Sequence, residues 1–184
     1  MLGGLDRIIQ GSKTIGVYSL SETPLDELLW AHYGDSHTGF CIEYNLEPLA
    51  LGASYADKWM EKFWRTNTLN CFRIQYQDFV PEIHLGSVGS VNDDCDVFQT
   101  LLGYKSTRWN YEREVRIITP CAGAHHYNRE VVTGIYFGLR MPEDRKTVLM
   151  QRLHGRPISY YQIEQSSGSY GFSARKLFTT ESPN

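Results

Sequence analysis

The stretch KSTRWNYEREVRII, residues 105–118, constrains the fold more than any other part of the chain, because it concentrates charge, aromatic bulk and β-forming residues. Its alternation predicts a strand over 109–118. On such a strand Glu112, Glu114 and Arg116 share one face, since successive side chains point to opposite sides. Residues two apart on a strand lie about 6.5 Å from each other. The two carboxylates can therefore address neighbouring atoms of one ligand, or they can pair with arginines on a half-exposed sheet.

Length and composition limit the classes of protein to which the chain can belong. At 184 residues with 41% hydrophobic content, it can bury one core, and its length requires no second one. Its formal net charge is -3 and its pI is near 6.1, which leaves no global basic field to attract nucleic acid or an anionic membrane. No stretch reaches the roughly 20 apolar residues of a membrane helix. We therefore expect a single domain over 1–184, with no membrane partner and no strong nucleic-acid signal.

The cysteines indicate a reducing compartment. Cys41, Cys71, Cys95 and Cys121 are widely spaced and contain no CxxC pair. This spacing argues against a zinc knuckle and against a compact disulfide framework. We expect reduced thiols in a cytoplasmic protein, and we expect no metal.

The periodicity of the whole chain predicts an α+β fold, with a mixed, mainly antiparallel sheet of about seven strands and about four helices. Besides 109–118, strands are predicted over 14–21, 40–44, 71–76, 129–137, 158–163 and 170–178. Besides a helix in the sequence SETPLDELLWAHYG, helices are predicted over 54–66, 93–103 and 142–154. Residues 1–13 and 179–184 are expected to be mobile.

The sequence SETPLDELLWAHYG carries the clearest helix signal. Thr23 is predicted as the N-cap, Pro24 as the first helical residue and Gly34 as the end of the helix. Helical spacing predicts an inward face, which consists of Leu25, Leu28, Leu29 and His32. Trp30 and Tyr33 form a second, aromatic edge. His32 is then a hydrogen-bonded histidine of the core or of a pocket.

Several stretches together resemble the bacterial DUF2971 family, a domain of unknown function, over about residues 15–165. The matching residues are Ser19-Leu20-Ser21, Leu29-Trp30-Ala31-His32-Tyr33-Gly34, His37, Gly39-Phe40, Lys105, Trp109, Glu112, Glu114, Arg116 and Ile135-Tyr136-Phe137-Gly138. Members of this family carry a further N-terminal portion with an Asn-Asp-Pro signature. The chain therefore looks like a short or N-terminally truncated member. The family name by itself implies no activity.

Two short motifs resemble those of the ADP-ribosyltransferase type of NAD-consuming enzyme. That class uses an arginine on an early strand, a Ser-x-Ser strand and a Glu-x-Glu pair around the nicotinamide ribose. Here Ser19-Leu20-Ser21 and Glu112-Arg113-Glu114 match the second and third elements. The resemblance implies that Glu114 stabilises the oxocarbenium-like ribose, that Glu112 orients or deprotonates an acceptor, and that Ser19 holds the catalytic carboxylate.

The same resemblance implies that NAD, a small-molecule nucleotide, is the substrate. Tyr18 or Trp30 would stack on the nicotinamide. The other residues expected to line the nucleotide site are Ser21, His32, Tyr33, Lys105 and Arg116. The arginine of the first element has no clear counterpart, because Arg7 is the only arginine before Ser19 and lies outside any predicted strand.

Two other interpretations of the acidic stretch stay open. A metal-dependent nuclease site gathers acids and a base around a divalent cation, and its residues here would be Glu112, Glu114, Arg116 and Lys105, with Asp93, Asp94 and Asp96 as further oxygen ligands. Alternatively, the chain is a non-catalytic binding module of a bacterial conflict or defence system, with a protein partner or a second copy of itself. In that case Trp109, Glu114 and Arg116 lock the sheet in register.

Overall fold

The computed structural model describes residues 13–45, 70–82, 100–125 and 131–180. These residues form nine strands, two α-helices and one 3-10 helix, and residues 100–102 are also helical. The strands are β1 (Gly16–Ser21), β2 (Phe40–Tyr44), β3 (Asn70–Arg73), β4 (Gln75–Tyr76), β5 (Tyr104–Lys105), β6 (Glu114–Thr119), β7 (Val132–Phe137), β8 (Ser159–Gln165) and β9 (Phe172–Thr179). The helices are α1 (Glu27–Tyr33), the 3-10 helix Thr107–Glu112 and α2 (Glu143–Arg152).

The strands pair mainly antiparallel, so the predicted α+β fold is confirmed. Of the six pairings, only β4 with β5 and β7 with β8 are parallel. The described strands lie in three sheets, whose strand orders are β1-β6-β3, β2-β7-β8-β9 and β4-β5. The chain divides into two compact units, of which the first comprises Met1–Glu22 and Pro48–His126 and the second comprises Thr23–Glu47 and Tyr127–Asn184.

The first unit is built around β6, the central strand of the three-stranded sheet. Its residues Ile117, Ile118 and Thr119 are buried, and Ile74 joins them in the core. Consecutive buried residues mean that both faces of the strand are covered, and β-branched side chains suit such a position. Glu114, the first residue of β6, therefore belongs to a strand that is packed on both faces.

The second unit contains a β-α-β crossover in which α2 connects the parallel strands β7 and β8. The core of this unit includes Ile135, Phe137, Ile158 and Tyr160, which are almost completely buried. The rings of Phe137 and Tyr160 stack with their centroids 5.8 Å apart. Aromatic stacking of this kind adds to the burial of apolar area and so stabilises the pairing of the two strands.

The sequence prediction was wrong over 109–118. Instead of one strand, the chain forms the 3-10 helix Thr107–Glu112, a left-handed residue at Arg113, and only then β6. The reason is that the first turn of the 3-10 helix is capped, which the alternating pattern does not indicate. Ser106 is the N-cap and accepts a hydrogen bond from Arg108 N. Asp78 Oδ1 accepts hydrogen bonds from the hydroxyl and the amide of Thr107, which fixes the first turn from outside the stretch.

Helix α1 also begins later than predicted. Its N-cap is Asp26, whose Oδ1 accepts from the amides of Leu28 and Leu29 at 2.9 and 3.1 Å, whereas Thr23 accepts from Leu25 in the preceding turn. A carboxylate at the N-cap satisfies two free amides and meets the positive end of the helix dipole. The residue of α1 that is buried is Trp30, so the predicted inward face was wrong, and His32 is exposed.

The other predicted elements differ from the structure mainly at their ends. The predicted strand 71–76 is interrupted at Ile74 and forms β3 and β4. Residues 100–102 are helical and end before Gly103, as predicted, while the rest of that helix and the helix over 54–66 lie outside the described residues. Thr179 closes β9, and the Thr180 hydroxyl hydrogen-bonds Ile158 N and Ile158 O, so these two residues of the expected mobile tail are bound to the fold.

Candidate active site

The residue between Glu112 and Glu114 has an unusual backbone conformation. Arg113 has φ 43° and ψ 51°, the left-handed conformation that costs a residue with a side chain about 1–2 kcal/mol. This residue separates the end of the 3-10 helix from the start of β6. Both glutamates are buried, with 4% of their surface exposed. Non-glycine residues in this conformation are concentrated at functional sites and ligand clamps.

Lys105 joins the two carboxylates. Its ammonium nitrogen donates a hydrogen bond to Oε2 of Glu112 and lies 2.8 Å from Oε2 of Glu114. It also lies 5.4 Å from the centroid of the Trp109 ring, in a cation-π contact. Burial by itself lowers the pKa of Lys105, but the bonds to Glu112 and Glu114 outweigh it and raise the pKa above its usual value. The lysine therefore stays charged and compensates both glutamates.

Glu114 receives further hydrogen bonds from Arg116 on its own strand, β6, and from Ser19 on the paired strand β1. Arg116 donates from Nε to Oε1 at 2.7 Å and from a terminal nitrogen to Oε2 at 3.3 Å, and the Ser19 hydroxyl also hydrogen-bonds the carboxylate. Burial alone raises the pKa of Glu114, but the bonds from Arg116, Lys105 and Ser19 hold it below its usual value. Glu114 is therefore ionised at neutral pH.

The register of β1 against β6 brings the two serines to the glutamate. Ser19 lies opposite Arg116 and Ser21 lies opposite Glu114. Residues directly opposite in an antiparallel pair point to the same face, so both serines share the face of the Glu114 and Arg116 side chains. Tyr18 directly precedes Ser19 on β1 and therefore points to the other face of the sheet, where it is 48% exposed. It does not share a surface with Ser19 or Ser21.

The comparison with known families identifies the region that contains the two glutamates. Residues 29–117 match a family model described as a protein of unknown function, DUF2971. This part of the chain, slightly less than half of it, is similar to the DUF2971 family. The resemblance read from the sequence is confirmed over these residues. No curated protein and no solved structure matches the chain.

The DUF2971 region contains Lys105, Glu112, Glu114 and Arg116, but it begins after β1. The serine that bonds Glu114 therefore lies outside the matched residues. The pairing of β1 with β6 makes Ser19 part of the same cluster in the folded protein. The cluster thus extends beyond the part of the chain that the family model covers.

Two contributors to the site were missed by the sequence analysis. The Tyr76 hydroxyl accepts a hydrogen bond from the backbone amide of Glu114 at 2.8 Å. The carbonyl of Leu102 accepts from a terminal nitrogen of Arg116. No local signal points to either residue, because Tyr76 is 38 positions from Glu114 and Leu102 acts through its backbone.

Three residues expected to bind the nucleotide, Trp30, His32 and Tyr33, belong to the second unit. Trp30 is 4% exposed and its Nε1 donates to Pro24 O at 2.6 Å, so its ring is packed in the core and is not available for stacking on nicotinamide. His32 and Tyr33 are exposed, and their rings contact each other edge-on at 6.2 Å. Arg7 lies outside the described residues.

In the described part of the chain, the two carboxylates of the acidic cluster are joined by a lysine. In the ranges that the structure describes, no three side chains of His, Cys, Asp or Glu are grouped so that they could hold a metal ion. Lys105 Nζ lies between the two glutamates, in the position that a cation shared by them would take. Asp93, Asp94 and Asp96 lie outside those ranges.

None of the helices described has the length and apolar character needed to cross a membrane.

Proposed function

We propose that this chain is an NAD-consuming enzyme of the ADP-ribosyltransferase type, with Glu114 as its catalytic carboxylate. The observation that carries this proposal is the hydrogen bond from Ser19 to Glu114 across the β1–β6 pair. It joins the Ser-x-Ser strand to the Glu-x-Glu pair, the two motifs that resemble this class. Burial of both glutamates supports the proposal further, because a charge acts most strongly where water is excluded.

The reaction breaks the bond between the ribose C1′ and the nicotinamide nitrogen. Nicotinamide leaves with the bonding electron pair, positive charge develops on the ribose, and a water or acceptor oxygen or nitrogen forms the new bond to C1′. An ionised Glu114 stabilises that positive charge and lowers the barrier. Glu112 then takes the proton that the attacking group releases. Glu112 suits that role because it is paired with the same lysine, Lys105, as Glu114.

Ser19 is the donor that a ribose hydroxyl would replace. A carboxylate has about four acceptor positions, and Glu114 already receives two bonds from Arg116, one from Lys105 and one from Ser19. Hydrogen bonds from charged donors are about twice as strong as neutral ones. The neutral serine bond is therefore the weakest of the four, and a substrate hydroxyl can take its place without leaving a buried charge unpaired.

A second candidate function is a non-catalytic module in which the cluster serves only to hold the strands in register. The observation that favours it is charge balance: the two buried glutamates face two cations, Lys105 and Arg116, with no uncompensated charge. In that case, replacing one of these four side chains would change the stability of the protein and nothing else. An enzyme would lose turnover even where the fold survives.

The test is nicotinamide release from NAD, followed by chromatography with and without cell lysate as a source of acceptors. We expect Glu114→Gln, which keeps the shape of the side chain, to reduce the rate by about 10²–10³-fold. Glu22→Gln is the matched control, because Glu22 is an exposed glutamate of the same unit that pairs with Arg73. Unfolding curves of both variants separate loss of chemistry from loss of structure. Absence of release by the unmodified protein under all conditions would exclude the enzyme.

A further inference from the structure

Tyr76 contacts the site through its hydroxyl. It is the last residue of β4 and pairs with Lys105 on β5. Its Oη accepts from Glu114 N at 2.8 Å, directly after the left-handed Arg113. One short parallel pair therefore places a phenol beside the backbone of Glu114 and an ammonium beside its carboxylate.

The backbone around Glu114 is held from both sides. Ile74 N donates to Glu114 O at 2.9 Å, and Glu22 N donates to Arg113 O at 3.1 Å. The amide of Glu114 is satisfied by the Tyr76 hydroxyl, because this buried donor is at the very start of the strand. Without that acceptor the amide would be left unpaired in the protein interior, and the turn at Arg113 would relax towards a more common conformation.

We propose that Tyr76 is a positioning residue of the candidate active site, which holds the backbone of Glu114 so that the carboxylates of Glu112 and Glu114 stay together on Lys105. The effect on turnover rests on the proposed function. The effect on the backbone of Glu114 does not depend on it. Burial and the charges of Glu114 and Glu112 raise the pKa of the Tyr76 phenol, so it remains a neutral acceptor of the amide hydrogen bond at neutral pH.

The experiment compares Tyr76→Phe with Tyr104→Phe. Both variants remove one hydroxyl from the same two-stranded sheet, and the Tyr104 hydroxyl makes no hydrogen bond within the described residues. Amide hydrogen exchange measured by NMR reports the bond at Glu114 directly. We expect exchange of this amide to become at least about tenfold faster in Tyr76→Phe and to stay unchanged in Tyr104→Phe.

Turnover provides the second readout. In Tyr76→Phe we expect kcat for nicotinamide release to fall about tenfold, with KM for NAD within about twofold of the unmodified value, because the charges that bind substrate remain while the carboxylate is misplaced. Tyr104→Phe should keep both constants. A general loss of stability would not separate kcat from KM in this way.

The outcomes distinguish this inference from the proposed function. If the unmodified protein releases no nicotinamide, the enzyme is excluded, and the exchange rate of Glu114 still decides whether Tyr76 holds its backbone. Exchange at Glu114 that is the same in Tyr76→Phe as in the unmodified protein overturns the positioning role, as does an unchanged kcat in an active enzyme. If Tyr76→Phe does not fold, the unmodified protein alone provides the test. The positioning role is then overturned if the amide of Glu114 exchanges as fast as the amide of the exposed residue Glu143.

Discussion

The ammonium nitrogen of Lys105 lies 2.8 Å from a carboxylate oxygen of Glu114, and the same nitrogen is bonded to Glu112. One lysine therefore compensates two carboxylates that are almost completely buried. A buried charge that loses its partner keeps the cost of leaving water without the attraction that offset it. The stability of the first unit should consequently depend on this lysine more than on any exposed ion pair.

We expect Lys105→Met, which has a similar length but no charge, to lower the free energy of unfolding by about 3 kcal/mol. Urea denaturation at neutral pH measures the change. Arg73→Met is the control, because Arg73 and Glu22 form a pair whose side chains are 73% and 40% exposed, and its effect should stay within about 0.5 kcal/mol. Equal effects of the two substitutions would show that the buried network contributes no more than a surface pair.

Stability should depend on pH through Glu114. Its pKa in the folded protein lies below the ordinary value of 4.5, so its ionisation stabilises the folded state above 4.5, and this contribution is lost as the pH falls through the lowered folded pKa. The difference in unfolding free energy between the unmodified protein and Glu114→Gln should therefore shrink as the pH falls below 4.5. A difference that stays constant as the protein is acidified would contradict the lowered pKa.

Lys105 should show the opposite dependence. Its pKa is raised above the ordinary value of 10.5, so its stabilising contribution is complete below 10.5 and is lost as the pH rises through the folded pKa. We expect the advantage of the unmodified protein over Lys105→Met to decrease only above about pH 10.5 in urea denaturation. Loss of that advantage at neutral pH would mean that the carboxylates do not hold the ammonium.

Arg113→Gly should leave stability unchanged or raise it by up to about 1 kcal/mol, since glycine adopts a φ of 43° without steric cost but has more freedom in the unfolded chain. Arg108→Gly, in the 3-10 helix, should lower stability by about 0.5–1 kcal/mol, because there glycine adds only flexibility. Thermal unfolding of both variants compares the two positions. Destabilisation by Arg113→Gly as large as that by Arg108→Gly would argue against the left-handed turn.

Two tyrosines of the second unit should respond oppositely to removal of the hydroxyl. Tyr160 Oη is buried and has no hydrogen-bond partner among the described residues, whereas Tyr136 Oη donates to Glu43 at 2.6 Å. We expect Tyr160→Phe to raise the free energy of unfolding by about 1 kcal/mol and Tyr136→Phe to lower it by about 1–2 kcal/mol. Denaturant titration of the pair measures both, and a loss of stability in Tyr160→Phe would reveal a partner for its hydroxyl.

Much of the secondary structure was predictable because its signals are local. The strand Phe40–Tyr44 has the predicted bounds, and α2 begins one residue after Pro142, which is its N-cap. In both cases an apolar period and a flanking turn or proline lie within a few residues of each other. The residue types of the candidate site were also visible, since Ser19, Glu112 and Glu114 belong to short motifs.

The arrangement of those residues required the tertiary structure. Arginine has no preference for the left-handed conformation, so the residue type at Arg113 did not indicate that the predicted strand would be interrupted there. Asp78 and Tyr76, which fix the two ends of the turn, come from a segment far away in the chain. Periodicity measures the environment along one segment and contains no information on which distant segment will supply a cap or an acceptor.

The sequence by itself determined the α+β class, most of the strands and the two acidic residues of the site. Only the tertiary structure decided that β1 pairs with β6, that one lysine holds both glutamates, and that the tyrosine at the end of β4 anchors their backbone. The physical reason is that local propensity selects helix or strand within a segment, whereas register and burial depend on contacts between segments. The chemistry of Glu114 follows from the second kind of information, because the pKa of a buried carboxylate is determined by the donors that folding brings to it.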